Sequence, residues 1–241
     1  VLQYQDRKTV VRLNGLDTKF FTDDVKEVVV PGLQCLMTPK IEDSDHIRQI
    51  HGVLLAEEKK KGMDPGTVSI IPLIESGAGI QNVFQILSEP TDPHRLFTIA
   101  FGAADYTLDM GIEMTKNAKE LDYPRARIAV ACRAADVERP LDTPFMIALK
   151  DLKGLKADAT RARELGFQGK LCIHPDQIAP CHQVFSPKPE EIQYAQRVVR
   201  AFEDAEAEGR AAIQLDGKFI DYAIVERSRR VLQLAVAIES G

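Results

Sequence analysis

The sequence predicts an α/β fold in which helices cover a parallel β-sheet. Three observations carry that expectation. Short apolar runs rich in Ile, Val and Phe alternate with segments whose apolar residues recur at helical spacing. The two most pronounced runs, ending at Glu75 and Asp105, are apolar on successive residues, as strands buried on both faces are. Nearly every run also stops on a charged or polar residue, such as Arg12, Lys40, Glu75, Asp105 or His174. That pattern favours a barrel with its active face at the C-terminal rim of the strands.

Strand and helix segments follow in order. Residues 9–13 read as a short strand and 23–30 as a short helix; 34–38 form the next strand, ending at Pro39 and Lys40. Ser44 is placed to cap a helix over 45–61, whose Ile47, Ile50, Val53 and Leu54 share a face. The strand at 68–75 precedes a helix over 79–87 with Ile80, Val83, Phe84 and Leu87 on one side. After the strand ending at Asp105 come a helix over 107–119 and a buried strand over 127–132. The prolines make 139–144 a loop, Gly166 closes a helix over 151–165, and 170–173 is the last strand of this series. Beyond it stand a helix over 188–208, a hairpin over 211–220 turning at Asp216 and Gly217, and a final helix over 223–238. The strands of the parallel series number six, two short of a full (β/α)8 barrel.

Composition narrows the function classes. A chain of 241 residues can form one barrel-sized domain or two small ones. Its net charge of −5 argues against a nucleic-acid surface. No apolar run reaches the length of a membrane span, and residues 1–8 carry no signal-peptide pattern. Cys35, Cys132, Cys172 and Cys181 contain no CxxC pair, and their mostly apolar settings indicate reduced thiols in a cytoplasmic protein.

Glu75 and Asp105 are the leading candidates for chemistry. Carboxylates delivered from neighbouring strand ends make a hard, oxygen-rich site suited to Mg²⁺, though acids in such places also cap helices. Arg12 at the same rim is either a salt-bridge partner or a clamp for a carboxylate or thioester oxygen, where its fork is useful. Lys40 either contributes to binding or balances Glu75 or Glu42. The small side chains of Gly102, Ala103 and Ala104 would let their backbone N–H groups approach a substrate carboxylate. His174 reads as a structural hydrogen-bonder before Pro175, and Asp109 as a helix-start acid or a supporting partner of the site. Glu42 and Asp43 belong to a cap region, and Lys59, Lys60 and Lys61 to a solvated helix end.

Six segments, taken together, carry a family resemblance. They are Arg12-Leu13-Asn14, Leu36-Met37-Thr38-Pro39-Lys40, Pro72-Leu73-Ile74-Glu75, Phe101-Gly102-Ala103-Ala104-Asp105, residues 169–175 (Gly-Lys-Leu-Cys-Ile-His-Pro) and residues 216–221 (Asp-Gly-Lys-Phe-Ile-Asp). In this order and spacing the chain resembles the citrate lyase β-subunit-like family of the HpcH/HpaI aldolase superfamily. The resemblance implies a (β/α)8 TIM-type barrel over residues 1–186, followed by an oligomerisation and lid extension of helix, hairpin and helix over 187–241. The family's first two strands have no counterpart in the sequence; a chain without them would form an open barrel with weakened catalysis.

It further implies a Mg²⁺-dependent carbon–carbon lyase acting on a 3-hydroxyacyl-CoA thioester of the citramalyl-, malyl- or citryl-CoA type. Glu75 and Asp105 would hold the metal; Arg12 would act on the thioester side. The chain would be a homotrimer, with Asp221 reaching the neighbouring subunit's site as the proton-transfer group. Asp221 is also placed to cap the last helix. Two other readings stand beside this one: a class II-type aldolase acting on free hydroxy-keto acids, and a non-catalytic subunit of a larger lyase complex.

Overall fold

Six short parallel strands pair in chain order to form one sheet: β1 (Val10–Arg12), β2 (Cys35–Thr38), β3 (Ser69–Ile74), β4 (Ala100–Phe101), β5 (Leu141–Asp142) and β6 (Gly169–Lys170). They belong to a computed structural model that describes residues 9–207 and 209–239. The sheet is an open half-barrel with β1 and β6 at its edges; the eight-stranded closure is not formed by the described residues. The chain divides into two compact units, one ending at Cys181 and the other beginning at His182.

Register sets the core of the first unit. Val10 pairs with Cys35, Cys35 with Ser69, Leu73 with Ala100, Ala100 with Leu141 and Leu141 with Gly169. Alternate residues share a face, so Cys35, Met37, Ile71, Leu73 and Ala100 make one apolar cluster with Leu141 and Leu171 packed against it. Leu36, Ile70, Ile74 and Phe101 occupy the alternate positions and are also buried. Burial on both faces is why these runs show no polar alternation. The helices between the strands are α1 (Phe21–Val28), α2 (Ser44–Lys60), α3 (Gly77–Leu87), α4 (Ala103–Asp109), α5 (Asp122–Ala134) and α6 (Leu152–Glu164). Ile47, Ile50 and Leu54 of α2 and Ile80, Val83 and Leu87 of α3 recur every three or four residues and are buried. Each such side chain contributes about 1.5–3 kcal/mol relative to exposure.

Two buried ionic clusters tie helices to the sheet. Arg125 of α5 forks onto Asp142 of β5 at 2.9 and 2.9 Å and reaches Asp158 of α6 at 2.8 Å. Lys170 of β6 completes the cluster, at 2.5 Å from Asp142 and 2.6 Å from Asp158. Two cations thus face two anions, and each carboxylate meets both cations. Burial opposes ionisation of Asp158, but Lys170 and Arg125 hold its carboxyl below the usual carboxylate value. The second cluster pairs Arg95 with Glu58 at 2.8 and 2.5 Å, with Arg95 also donating to the Val68 carbonyl and to His51 Nδ1, each at 2.8 Å. Glu58 accepts the Gly66 and Val68 amides as well, so the end of α2 is fastened to the start of β3.

The structure corrects several sequence expectations. Residues 127–132 are not a strand but part of helix α5. Ile128, Ala131 and Cys132 are buried while Val130 is 65% exposed, which is a helical and not a two-faced strand pattern. The fifth strand instead lies in the segment read as a loop: Leu141 and Asp142, with Pro140 and Pro144 close on either side, are too short a run to signal a strand. Helix α4 begins at Ala103 and ends at Asp109, so Asp105 sits in a helical first turn and not at a strand end. Asp43, not Ser44, caps α2 by accepting the His46 amide at 3.0 Å. Lys61 is more than a solvated end, because its ammonium donates to the Val29 carbonyl at 2.6 Å just past α1. Cys35, Cys132 and Cys181 are buried, whereas Cys172 is exposed, and all four are free.

The second unit has its own small core. Helix α8 (Pro189–Ala207), the antiparallel hairpin β7 (Ile213–Leu215) and β8 (Lys218–Ile220), and α9 (Tyr222–Glu239) surround Val198, Phe202, Ile220 and Val225; α7 (Ile178–Phe185) spans the boundary between the units. The Tyr222 ring meets Phe202 edge-on at 4.9 Å. Asp216 and Gly217 turn the hairpin with φ of 52° and 75°, the left-handed pair that a tight two-residue turn requires.

Candidate active site

Glu75 directly follows β3 and is 5% exposed. Three features fix its carboxylate. The Lys40 amide donates to Oε2 at 3.0 Å. Lys40 reaches that position with φ of 56°, a left-handed conformation uncommon outside glycine. On the other side lies Gly102, where an added Cβ would fall 2.6 Å from Glu75 Cγ and 2.7 Å from Oε1. The next residue, Ser76, caps α3 by accepting the Gly79 amide at 3.1 Å. Glu75 is therefore not the helix cap, and its carboxylate is turned to another use.

Asp105 lies in the first turn of α4, where the N-cap is Gly102, which has no side chain to cap the helix with. The helix dipole favours an acid in this turn. Asp105 and Glu75 act on each other electrostatically. Burial raises the Glu75 carboxyl above its ordinary value; the Lys40 amide opposes this, the Asp105 carboxylate pushes it further up, and Arg12 pulls it back. Arg12, Lys40, Glu75 and Asp105 all line one open cavity of about 440 Å³, together with Asn14 and Asp17.

The donor set fits a hard divalent cation. Among the described residues no group of three or more His, Cys, Asp or Glu is arranged to hold a metal. Two adjacent carboxylates in a solvent-accessible cavity are what Mg²⁺ requires, since it takes one or two protein carboxylates and fills its other positions with water and substrate oxygens. Burial is the main cause of the raised Glu75 carboxyl, and a cation between the two acids would offset both it and the lesser repulsion from Asp105.

The other sequence candidates are distributed differently. The Gly102 amide donates to the Ile74 carbonyl at 2.9 Å and the Ala103 amide to Thr143 Oγ1 at 3.0 Å. Both amides are thus engaged within the protein; of the three residues expected to approach a substrate, Ala104 is the one exposed. The crowding at Gly102 comes from Glu75. His174 Nδ1 accepts the Asp176 amide at 3.2 Å at the start of a short 3₁₀ turn, a structural role. Asp109 accepts the Gly77 amide at 2.8 Å. Asp221, in the second unit, accepts the Ile224 amide at 3.1 Å and so caps α9.

Sequence reading missed Asn14, Asp17, Asp24 and Thr143. Asp24 of α1 accepts both the backbone and side-chain N–H of Asn14, at 2.9 and 2.8 Å, anchoring the segment that follows Arg12. Asn14 stands in one of the segments that carry the family resemblance, and Asp17 is a polar residue just beyond a strand end. Among the described residues no helix is long and apolar enough to cross a membrane.

Residues 1–175 match the family described as HpcH/HpaI aldolase/citrate lyase. The citrate lyase subunit beta of Leuconostoc mesenteroides subsp. cremoris is 35% identical over 98% of this chain and 76% of its own length. The L-malyl-CoA/beta-methylmalyl-CoA lyase of Rhodobacter capsulatus is 31% identical over 93% of this chain and 75% of its own. In fold, the chain superposes on a citrate lyase from Burkholderia xenovorans LB400 with a TM-score of 0.80 at 23% identity, covering 95% of this chain and 72% of that one. It also superposes on the protein CitE of Mycobacterium tuberculosis in complex with magnesium, acetoacetate and coenzyme A, with a TM-score of 0.72 at 23% identity over 96% and 79% of the two chains.

Proposed function

The chain belongs to the HpcH/HpaI aldolase/citrate lyase family, and from that premise we propose that it is a Mg²⁺-dependent carbon–carbon lyase. Its substrate would be a 3-hydroxyacyl-CoA thioester of the citramalyl-, malyl- or citryl-CoA type, cleaved by a retro-Claisen reaction to acetyl-CoA and a keto acid. The observation that carries this reading is the convergence of Glu75, Asp105 and Arg12 on one cavity. Relatives named as citrate lyase subunit beta and as malyl-CoA lyase support the substrate class, and the magnesium and coenzyme A in the CitE complex support the metal and the thioester.

Each residue has a task in this chemistry. Glu75 and Asp105 would hold the cation, with the Lys40 amide fixing the Glu75 carboxylate. When bound, Mg²⁺ acidifies the substrate hydroxyl and polarises the carbonyl that forms from it. As the hydroxyl gives up its proton to water in the open cavity and the carbon–carbon bond breaks, the electron pair of that bond passes into the thioester enolate. Of the two cationic residues lining the cavity, Arg12 and Lys40, we assign the stabilisation of that oxygen to Arg12, whose planar fork suits the task. The enolate carbon then takes a proton to give acetyl-CoA. We assign that proton transfer to Asp221 of a neighbouring subunit in a cytoplasmic homotrimer, which would add to its capping of α9. In the same reading the six strands are six of the eight in a TIM-type barrel, and residues 187–241 form the oligomerisation and lid extension. Relatives named as a subunit favour one variant of this picture, in which the chain works inside a larger lyase complex.

The experiment is acetyl-CoA release from citramalyl-, malyl- and citryl-CoA, assayed side by side with Mg²⁺ and with excess chelator. Turnover of one thioester that stops on chelation supports the proposal. Turnover that survives chelation refutes the metal, and cleavage of free hydroxy-keto acids alone refutes the thioester. No turnover by a chain that co-purifies with partner chains would assign it to a non-catalytic place in a complex.

A further inference from the structure

Asp105 is carried by a helix that needs outside help to hold its place. Helix α4 has seven residues, too few to be stable alone. Packing supplies one anchor, the Tyr106 ring edge-on to Phe101 at 5.5 Å. Hydrogen bonds hold its two ends. At the start, the Ala103 amide donates to Thr143 Oγ1 at 3.0 Å, and Thr143 is 2% exposed. At the end, Asp109 Oδ2 accepts the Gly77 amide at 2.8 Å. Gly77 lies two residues past Glu75 and begins α3. The approach is close, since a Cβ added at Gly77 would stand 3.0 Å from Met110 Sδ and 3.6 Å from Asp109 Oδ2.

Asp105 and Asp109 are four residues apart, so they share a face of α4. Asp109 thereby docks the face that bears Asp105 onto the turn that bears Glu75. Thr143, immediately after β5, holds the same helix from the other side. The segments following β3, β4 and β5 are thus fastened to one another around the two carboxylates.

We propose that Asp109 and Thr143 are positioning residues that set Asp105 against Glu75 for a shared divalent cation. This rests on the metal-site reading above. Asp109 acts here as a hydrogen-bond acceptor and not by its charge, and Thr143 acts through its hydroxyl oxygen. Conservative variants separate these roles. Asp109→Asn keeps an oxygen for the Gly77 amide and removes the charge, while Asp109→Ala removes both. Thr143→Ser keeps the hydroxyl and Thr143→Val removes it at similar volume.

Mn²⁺ serves as the probe, its binding counted by loss of the free-ion electron paramagnetic resonance signal, with circular dichroism reporting the fold. Asp109→Ala and Thr143→Val should each weaken Mn²⁺ binding about 3- to 10-fold in a folded chain, the worth of one hydrogen bond. Asp109→Asn and Thr143→Ser should bind within about twofold of the parent, since each keeps its bond. Equal losses in Asp109→Asn and Asp109→Ala would overturn the proposal, because charge would then be what counts. Parent-like binding by folded Asp109→Ala would overturn it too. Glu75→Gln distinguishes the two levels: if it leaves Mn²⁺ binding intact, the metal site itself is wrong. If Glu75→Gln abolishes binding while Asp109→Ala and Thr143→Val do not, only the positioning role fails.

Discussion

Gly102→Ala tests how tightly the site is built. The added methyl would lie 2.6 Å from Glu75 Cγ, 2.7 Å from Oε1 and 3.0 Å from Cδ. Ordinary contacts to a Cβ begin near 3.4 Å, so the Glu75 side chain must retreat by about 0.8 Å at its nearest carbon. Glu75 can rotate, but it is buried and tied to the Lys40 amide, so its retreat breaks or stretches that 3.0 Å bond. Overpacking of this kind costs about 1–3 kcal/mol of stability. A misplacement near 1 Å of a group that orients the reaction can cost about 100-fold in rate. The expected result is a chain that still melts cooperatively in urea, with a lower midpoint and roughly 100-fold slower Mg²⁺-dependent acetyl-CoA release. Gly52→Ala is the control: it lies inside α2 with nothing within 4 Å of the added carbon, and it should gain up to about 1 kcal/mol from helix propensity with turnover unchanged. Full turnover by Gly102→Ala would refute the claim that the glycine exists to seat Glu75.

Four further outcomes are expected. Asp142→Ala leaves Arg125 and Lys170 short of a partner in the interior and should cost about 3–5 kcal/mol in urea unfolding. Because Asp158 titrates below its unfolded value, the stability it contributes is present above the ordinary Asp range and is lost as pH falls through its lower folded value; an acid titration by circular dichroism should show Asp158→Asn with a shallower loss over that range. Arg12→Lys keeps the charge but loses the fork, so acetyl-CoA release should fall strongly while Mn²⁺ affinity stays near the parent's; an equal loss of affinity would place Arg12 on the metal side. Asp221→Ala and Arg12→Ala chains, each inactive alone, should recover partial activity when co-assembled, whereas no recovery in verified mixed oligomers would leave Asp221 as the cap of α9 alone.

The sequence was most legible where burial was continuous. β2 and β3 are apolar because both faces are covered, and α2 and α3 announce themselves through Ile47, Ile50, Leu54 and Ile80, Val83, Leu87. It was least legible where strands shrink to two residues. β5 is Leu141 and Asp142, one apolar and one charged, and the charge is buried because Arg125 and Lys170 reach it from distant segments. The alanine-rich 127–132 run took its place in the reading because Ile128 and Val130 suit a strand, whereas their opposite exposures belong to a helix. At the site, Glu75, Asp105, Arg12 and Lys40 were visible as charges where apolar runs end, and all four line the cavity. Their supports were not visible. The left-handed Lys40, the crowding at Gly102 and the bonds from Thr143 and Asp109 join residues about 30 to 40 positions apart, which no local pattern encodes.

In the proposed function, Glu75 and Asp105 hold the one cation on which thioester cleavage depends. Acetyl-CoA release by Asp105→Ala, measured across a Mg²⁺ titration on whichever thioester the parent chain cleaves, tests it most directly. No turnover is expected at any Mg²⁺ concentration from a chain whose circular dichroism matches the parent's, because Asp105 sits exposed in a first helical turn and adds no core packing. Full activity of Asp105→Ala in the presence of Mg²⁺ would contradict it.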